Sequence, residues 1–420
     1  MYSCFSRIST TNGLRIPLVR SVIFENRGCS STTHLKTNEK KKLFTPGPLG
    51  ISQSTKEAML RDVGSRDVEF IDTVAEIRGS LLEIAGVSCN DFTCTLLPGS
   101  GTYAVESVLS STTPKTNGKV LILENGAYGK RMGLIAAAHG LDCHVAHFSE
   151  DKRIDVEMVE KIMAAGSTDW TNVSVVHCET SSGALNPVQH IGHLVKMYAP
   201  NCTFFVDAMS SFGAVPLDIE ASNIDFVVSS ANKCVQGVPG FSYIISKKTS
   251  LQKCEGWARS LSFDLLSQDK QLNNSGQFRF TPPTHAILAF KQALKELKLE
   301  GGVENRGKRY AKNNDIISKG MQARGFDELL RPQDKSYIIS SFYYPQHPNF
   351  NFQEFYTRLN DKGQVIYPGK LTERDCFRIG NIGHLFPEDM DHLLQCIEVV
   401  CKEMEIPLPL VPSGKYQSSG

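Results

Sequence analysis

The chain has no charge excess. Its 45 Lys and Arg residues are set against 44 Asp and Glu, a formal net charge of +1 over 420 residues. That balance excludes a broadly basic nucleic-acid binder and an acidic tail protein. No uninterrupted apolar run approaches the ~18–20 residues that a membrane-spanning helix requires, so no membrane is expected as a partner. There is no CxxC pair and no internal repeat. Cys89/Cys94 and Cys396/Cys401 lack His partners at zinc spacing, so no metal site is expected. Cys143, Cys178, Cys202 and Cys234 sit in or beside apolar runs that read as buried strands, which points to reduced thiols.

A chain this long can bury a large core without staples, and its composition changes along its length. Residues 1–42 carry Arg7, Arg15, Arg20 and Arg27, many Ser and Thr, and one acid before Glu39. Arg-rich, Ser-rich, acid-poor composition marks an organelle transit segment, so mitochondrial import is expected, with the cytoplasm as the alternative. Residues 411–420 read as a polar tail.

Between these ends, short apolar strands alternate with helical patterns. Val120–Leu123, His144–Phe148, Val173–His177, Thr203–Val206, Phe226–Ser229 and Phe241–Ile245 read as strands. Gly129–His139, Asp155–Ala165 and Gln189–Tyr198 read as helices between them. This alternation predicts an α/β fold with a mostly parallel sheet over residues 43–300. The pattern resets at Gly301–Gly302, and a smaller α+β domain is expected over 301–410. The Gln292–Lys298 stretch reads as a solvated helix face, not a nucleic-acid patch.

Three motifs carry chemistry. Pro98 to Glu106 places small residues before a helical pattern, so free backbone N–H groups would meet the positive end of a helix dipole. Ser100, Gly101 and Thr102 form this phosphate cradle. Gly99, Gly101 and Ala104 also match a dinucleotide fingerprint, but no strand and later acid complete that unit. Asp207 follows the apolar run Phe204–Val206, at a strand end where open α/β sheets bind ligands. Lys233 lies 26 positions later (233 − 207), just after another strand and among small residues. A cradle, a strand-end carboxylate and a strand-end lysine are together what pyridoxal phosphate needs. The lysine forms an imine with its aldehyde, and the acid keeps its ring nitrogen protonated.

These residues stand in longer strings. They include Thr45-Pro46-Gly47-Pro48-Leu49, Asn125-Gly126-Ala127-Tyr128-Gly129, Ser229-Ser230-Ala231-Asn232-Lys233-Cys234, Ile366-Tyr367-Pro368-Gly369-Lys370 and Phe377-Arg378-Ile379-Gly380-Asn381-Ile382-Gly383. With them the chain resembles the class V aminotransferases of the fold-type I pyridoxal-phosphate superfamily over about 43–405. Within that class it is more similar to the members that move the amino group of 2-aminoethylphosphonate to pyruvate. The resemblance implies that Lys233 is the Schiff-base lysine and that Asp207 partners the pyridine nitrogen. It implies that Tyr128 stacks on the ring and that Thr180 contacts its phenolic oxygen. Ser100, Gly101 and Thr102 would bind the phosphate, with Thr281 reaching it from the other subunit of a homodimer. Arg378 would grip the substrate anion beside Pro46 and Gly47, and Arg279 is a candidate second cation for the phosphonate. His177 reads as structural. An alanine or serine–glyoxylate transaminase, a cysteine desulfurase, a dehydrogenase and a non-catalytic binding protein are the alternatives. A desulfurase fits poorly because Asn232 stands where that family has His before the lysine.

Overall fold

The computed structural model describes residues 41–165, 169–369, 371 and 375–410. The transit-like segment up to residue 40, Lys370 and the tail 411–420 lie outside them. In chain order the first half holds β1 (Lys42–Leu43), α1 (Gln53–Glu57), α2 (Val68–Ala85), β2 (Phe92–Pro98), α3 (Gly101–Thr112), β3 (Lys119–Glu124), α4 (Ala127–Ala138), β4 (Asp142–His147), α5 (Val156–Ala165), β5 (Asn172–Val176), β6 (Cys178–Glu179), β7 (Ala184–Leu185), α6 (Val188–Tyr198) and β8 (Thr203–Asp207). There follow β9 (Phe226–Ser230), β10 (Phe241–Lys247), α7 (Lys248–Gln252), α8 (Leu265–Ser275), α9 (Thr284–Glu300), α10 (Gly302–Ala323), β11 (Ile339–Tyr343), α11 (Phe352–Asp361), β12 (Gln364–Val365), β13 (Tyr367–Pro368), β14 (Cys376–Gly380) and α12 (Pro387–Glu403).

The expected strands and helices form within one or two residues of their predicted ends, because each apolar run is short, β-branched or aromatic, and closed by polar turns. Seven strands make one sheet in the order β2-β10-β9-β8-β5-β3-β4. β10 runs antiparallel to both neighbours, and β9-β8-β5-β3-β4 are parallel throughout. β2 therefore points the same way as β9, and Pro98, Glu124, Val176, Asp207 and Ser230 all end at one edge of the sheet.

One strand escaped the sequence reading. Phe92–Pro98 precedes the cradle and pairs with β10 in seven-residue register. A strand does lead into the fingerprint glycines, but β2 sits at one edge of the sheet while β3, the next strand in sequence, lies near the other. The parallel, adjacent βαβ unit of a dinucleotide site is not formed.

Alternation along each strand divides the core. Leu121, Leu123, Val173, Val175, Phe204 and Val206 face one side with α2, α5, α6 and α9. Val120, Ile122, Val176, Phe205, Phe226 and Val228 face the other with α3 and α4. A third cluster joins Ile317 and Met321 of α10 to β11, α11, β14 and α12. Phe44 packs into this third cluster, and Lys42, which composition assigns to the leading segment, is the first residue of β1, paired with Gln364 of β12. Cys143 and Cys202 are half-buried, not fully enclosed, and every described cysteine is a free thiol. Among the described residues no helix is long and apolar enough to cross a membrane.

Phe290 on α9 is fully buried, with its ring edge-on to Phe241 at 5.1 Å and 5.8 Å from Tyr243. Phe290→Ala should cost about 3–5 kcal/mol, read as an earlier urea midpoint with an unchanged slope.

Candidate active site

Asp207 is the last residue of β8. Its backbone is fixed on both sides, paired with Val176 of β5 and Val228 of β9. Its side chain is buried, and Oδ1 accepts the Met209 N–H at 2.9 Å, the one hydrogen bond this carboxylate receives among the described residues. Burial pushes its pKa up to about 6, although the Met209 N–H, Arg131 and Lys233 pull it down.

Lys233 stands three residues past the end of β9. Its Nζ donates to the Pro46 carbonyl at 2.8 Å. A Cβ at Gly47, where φ is +131°, would lie 2.4 Å from that Nζ, so only glycine lets the 45–49 loop lie against the lysine. This brings Pro46 and Gly47, some 187 positions away, to the lysine. Asp207 ends β8 and Lys233 follows β9, the adjacent parallel strand, so the cleft beside them lies at the carboxyl edge of the sheet.

The cradle opens onto the same cleft. Ser100 is the N-cap of α3 with extended backbone, and its hydroxyl makes no capping bond. A Cβ at Gly101 would meet the Met209 sulfur at 2.2 Å, so the start of α3 presses on the turn after Asp207. Thr102 Oγ1 accepts from Arg131 at 3.0 Å, which leaves its own proton to donate elsewhere. The Arg131 guanidinium lies 4.9 Å from the centre of the Tyr128 ring. Arg131 is a cation at the cleft that the sequence reading missed; its signal would have been an arginine one helical turn after Tyr128.

Glu179 was also missed. It is fully buried, and its carboxylate accepts Tyr128 N–H at 3.1 Å, Gly129 N–H at 3.2 Å, Ser181 N–H at 3.1 Å and Ser181 Oγ at 2.6 Å. It thereby caps α4 and sets Tyr128, a favourable place for an acid at a positive helix end. Burial still raises its pKa above the ordinary carboxylate value. Asn125 and Asn186 exchange amide hydrogen bonds at 2.9 Å beneath this loop.

Arg378 lies on β14 and is buried. Nε donates to Pro368 O at 2.9 Å and Nη1 to Thr180 O at 2.6 Å. Thr180 Oγ1 is 3.5 Å from Ser210 Oγ, and Ser210 O accepts the Cys234 thiol at 3.1 Å, which links the arginine back to the residue after Lys233. No ion pair to a carboxylate is found for Arg378 among the described residues. Burial lowers its pKa.

Two further expected residues, Arg279 and Thr281, stand between α8 and α9. Arg279 donates to Leu261 O at 2.9 Å and lies 5.1 Å from the Phe280 ring centre, and Thr281 is exposed beside them. His177 is structural in its contacts: its Nδ1 is 2.9 Å from Ser211 Oγ, and burial lowers its pKa to about 4. Among the described residues no cluster could hold a metal ion.

A mostly parallel sheet with an acid and a lysine at one edge places the chain in the fold-type I class of transaminase-like proteins. Residues 52–372 match the family model described as Aminotransferase class-V, and the chain belongs to that family. It is 49% identical over 363 residues to the 2-aminoethylphosphonate–pyruvate transaminase of Phocaeicola vulgatus, covering 86% of this chain and 99% of that one. Over 357 residues it is 46% identical to the enzyme of the same name from Bacteroides fragilis, covering 84% and 97%. Among solved structures it is similar to a pyridoxamine–pyruvate aminotransferase from Mesorhizobium loti, with TM-score 0.80 and 22% identity, covering 89% and 95%. It is also similar to the ureidoglycine–glyoxylate aminotransferase of Bacillus subtilis, with TM-score 0.79 and 21% identity, covering 90% and 96%.

The raised Asp207 pKa has a sign that can be measured. Folding penalises the carboxylate, so the ligand-free protein loses stability as pH rises from about 4 through about 6. Ligand-free Asp207→Asn should therefore melt higher than wild type at pH 7, by on the order of 3 kcal/mol at most. The two melting curves should converge below about pH 4, as followed by scanning calorimetry.

Proposed function

We propose that this chain moves the amino group of 2-aminoethylphosphonate to pyruvate, giving phosphonoacetaldehyde and L-alanine, with pyridoxal phosphate as cofactor. The observation that carries the reading is Arg378, a buried guanidinium anchored by two carbonyls and unpaired with any carboxylate among the described residues. A buried cation of that kind calls for an anionic ligand. The names of the relatives at 46–49% identity supply the donor and the acceptor.

The residues present fit the cofactor. Asp207 has a carboxylate oxygen to spare for a ring N–H, and the α3 N-terminus offers backbone donors with the Ser100 and Thr102 hydroxyls. Tyr128, whose N–H Glu179 accepts, would be the stacking ring, and Thr180 would contact the phenolic oxygen. When bound, pyridoxal phosphate supplies an electron sink for the carbanion left by proton removal. Lys233 would take the proton from the substrate carbon and hold it for return, acting as base and then acid. Asp207 would hold the proton of the ring nitrogen in place. Arg378 binds the phosphonate in one half-reaction and the pyruvate carboxylate in the other, since its fork suits both anions.

A second copy completes the site. Tyr103, Leu261 and Phe280 are exposed, and large apolar side chains of this kind favour burial against a partner. In such a dimer Thr281 reaches the phosphate of the neighbouring site, and Arg279 reaches a phosphonate only by the same route. The boundary near Gly301 between a cofactor-binding part and a smaller part belongs to this reading as well. So does a mitochondrial destination, which rests on the Arg-rich leading segment; the relatives named above are bacterial and lend it no support.

Alanine should form from 2-aminoethylphosphonate and pyruvate in a coupled assay, faster than from alanine or serine with glyoxylate. A reversed preference would overturn the substrate assignment. Arg378→Lys should raise KM for both substrates by about tenfold or more, because a point charge cannot replace the two-pronged fork. Lys233→Ala should lose turnover and the visible band of the lysine-linked cofactor; a variant that keeps that band would overturn the role of Lys233.

A further inference from the structure

The turn that presents Lys233 is held by residues outside the cleft. Lys233 O accepts Gln236 N–H at 2.7 Å, and Ala231 O accepts Gly237 N–H at 2.8 Å. This closes a tight loop that puts Gln236 at φ +66°, a left-handed conformation unusual for a residue with a side chain. Such a conformation persists only where the surroundings enforce it. Here the enforcing contacts are specific. The buried Gln236 amide donates to Tyr310 Oη at 2.6 Å and to Gly383 O at 2.9 Å.

Both partners belong to the part of the fold that carries Arg378. Gly383 lies three residues past β14 and donates its own N–H to Tyr310 Oη at 3.2 Å. Arg309 of α10 donates to Gly383 O at 2.9 Å and Leu385 O at 2.6 Å. Arg306 of the same helix donates to Cys234 O at 2.7 Å, and Glu300 holds both arginines, at 2.6 and 2.7 Å. The circuit closes on the opposite side. Gly380 N–H donates to Phe44 O at 2.9 Å and His384 N–H to Gly50 O at 2.8 Å, so the loop whose Pro46 carbonyl receives Lys233 Nζ is stapled to the same segment.

We infer that Gln236 is a positioning residue that sets Lys233 relative to Arg378, by tying the backbone of the lysine turn to the loop after the arginine strand. The inference rests on the roles given to Lys233 and Arg378 above. The clamp acts on where the lysine amine stands when it moves a proton, not on how tightly cofactor or substrate binds. Its loss therefore falls on kcat, because proton transfer is sensitive to displacements well under the width of an atom.

Gln236→Gly isolates the clamp, since glycine accepts φ +66° without strain while both amide donors vanish. In the cofactor-loaded enzyme, kcat should fall about tenfold or more, with KM for both substrates and the cofactor dissociation constant within about threefold of wild type. The midpoint of the pH titration of the visible band should shift by about half a pH unit or more, because the lysine nitrogen has moved. Tyr310→Phe, which removes the shared hydroxyl and keeps the ring, should move the same two quantities in the same direction, and it carries the test if the glycine variant does not fold. A loaded, folded variant with unchanged kcat and unchanged midpoint would overturn the inference. Failure of the underlying reading looks different: Lys233→Ala would keep the visible band, whatever the clamp variants do.

Discussion

Burying a carboxylate at the end of a central strand without neutralising it is the constraint that organises this molecule. Asp207 loses its hydration and receives one backbone N–H in return. The strain shows as a pKa raised to about 6. A sheet whose strands all deliver their ends to one edge makes this possible, because the cradle before α3, the lysine after β9 and the loop after β3 arrive there together. Arg378 repeats the theme from the other side. Its guanidinium is buried against the carbonyls of Pro368 and Thr180. The cleft thus holds charges that the protein positions with backbone groups, and a charged ligand would satisfy them.

Those charges come from two hydrophobic cores. Asp207 and Lys233 are anchored to the large sheet, whereas Arg378 belongs to the cluster formed by α10, α11, α12 and β14. A shift between the cores would change the geometry of the cleft more than the loss of any one surface contact. The bridges between them are hydrogen-bonded and buried. Arg306, Arg309 and Tyr310 on one face of α10 touch both the turn after Lys233 and the loop after β14. Glu300 sits between the two arginines, so their side chains are fixed before they reach their carbonyls. Charge-assisted bonds of this kind are directional and resist rearrangement.

Much of this was legible in the chain. Short β-branched runs closed by polar turns located the parallel strands to within a residue or two, because a strand buried on both faces has few other sequences open to it. Asp207 and Lys233 were legible because charged residues next to apolar runs need a reason. β2 was not legible in the same way: Phe92–Pro98 carries threonines at alternate positions and leads into a glycine turn, so it resembled part of a loop. Thr93 and Thr95 in fact hydrogen-bond to buried Asp269 of α8, a contact 174 or more positions away. Glu179 and Arg131 were missed for a related reason. An acid after a strand or an arginine in a helix is ordinary until one knows that a helix end or a threonine hydroxyl waits for it.

The chain by itself determined the class of fold and the placing of Asp207 and Lys233 at the ends of buried strands, since periodicity and local spacing act over a few residues. The tertiary structure decided which distant segments close the cleft. Pro46 meets Lys233 across 187 positions, and Arg378 meets Thr180 across 198. It also decided that Arg279 donates to the Leu261 carbonyl. Contacts at such separations follow from how sheet, helices and loops pack against one another. No pattern along the chain encodes them locally.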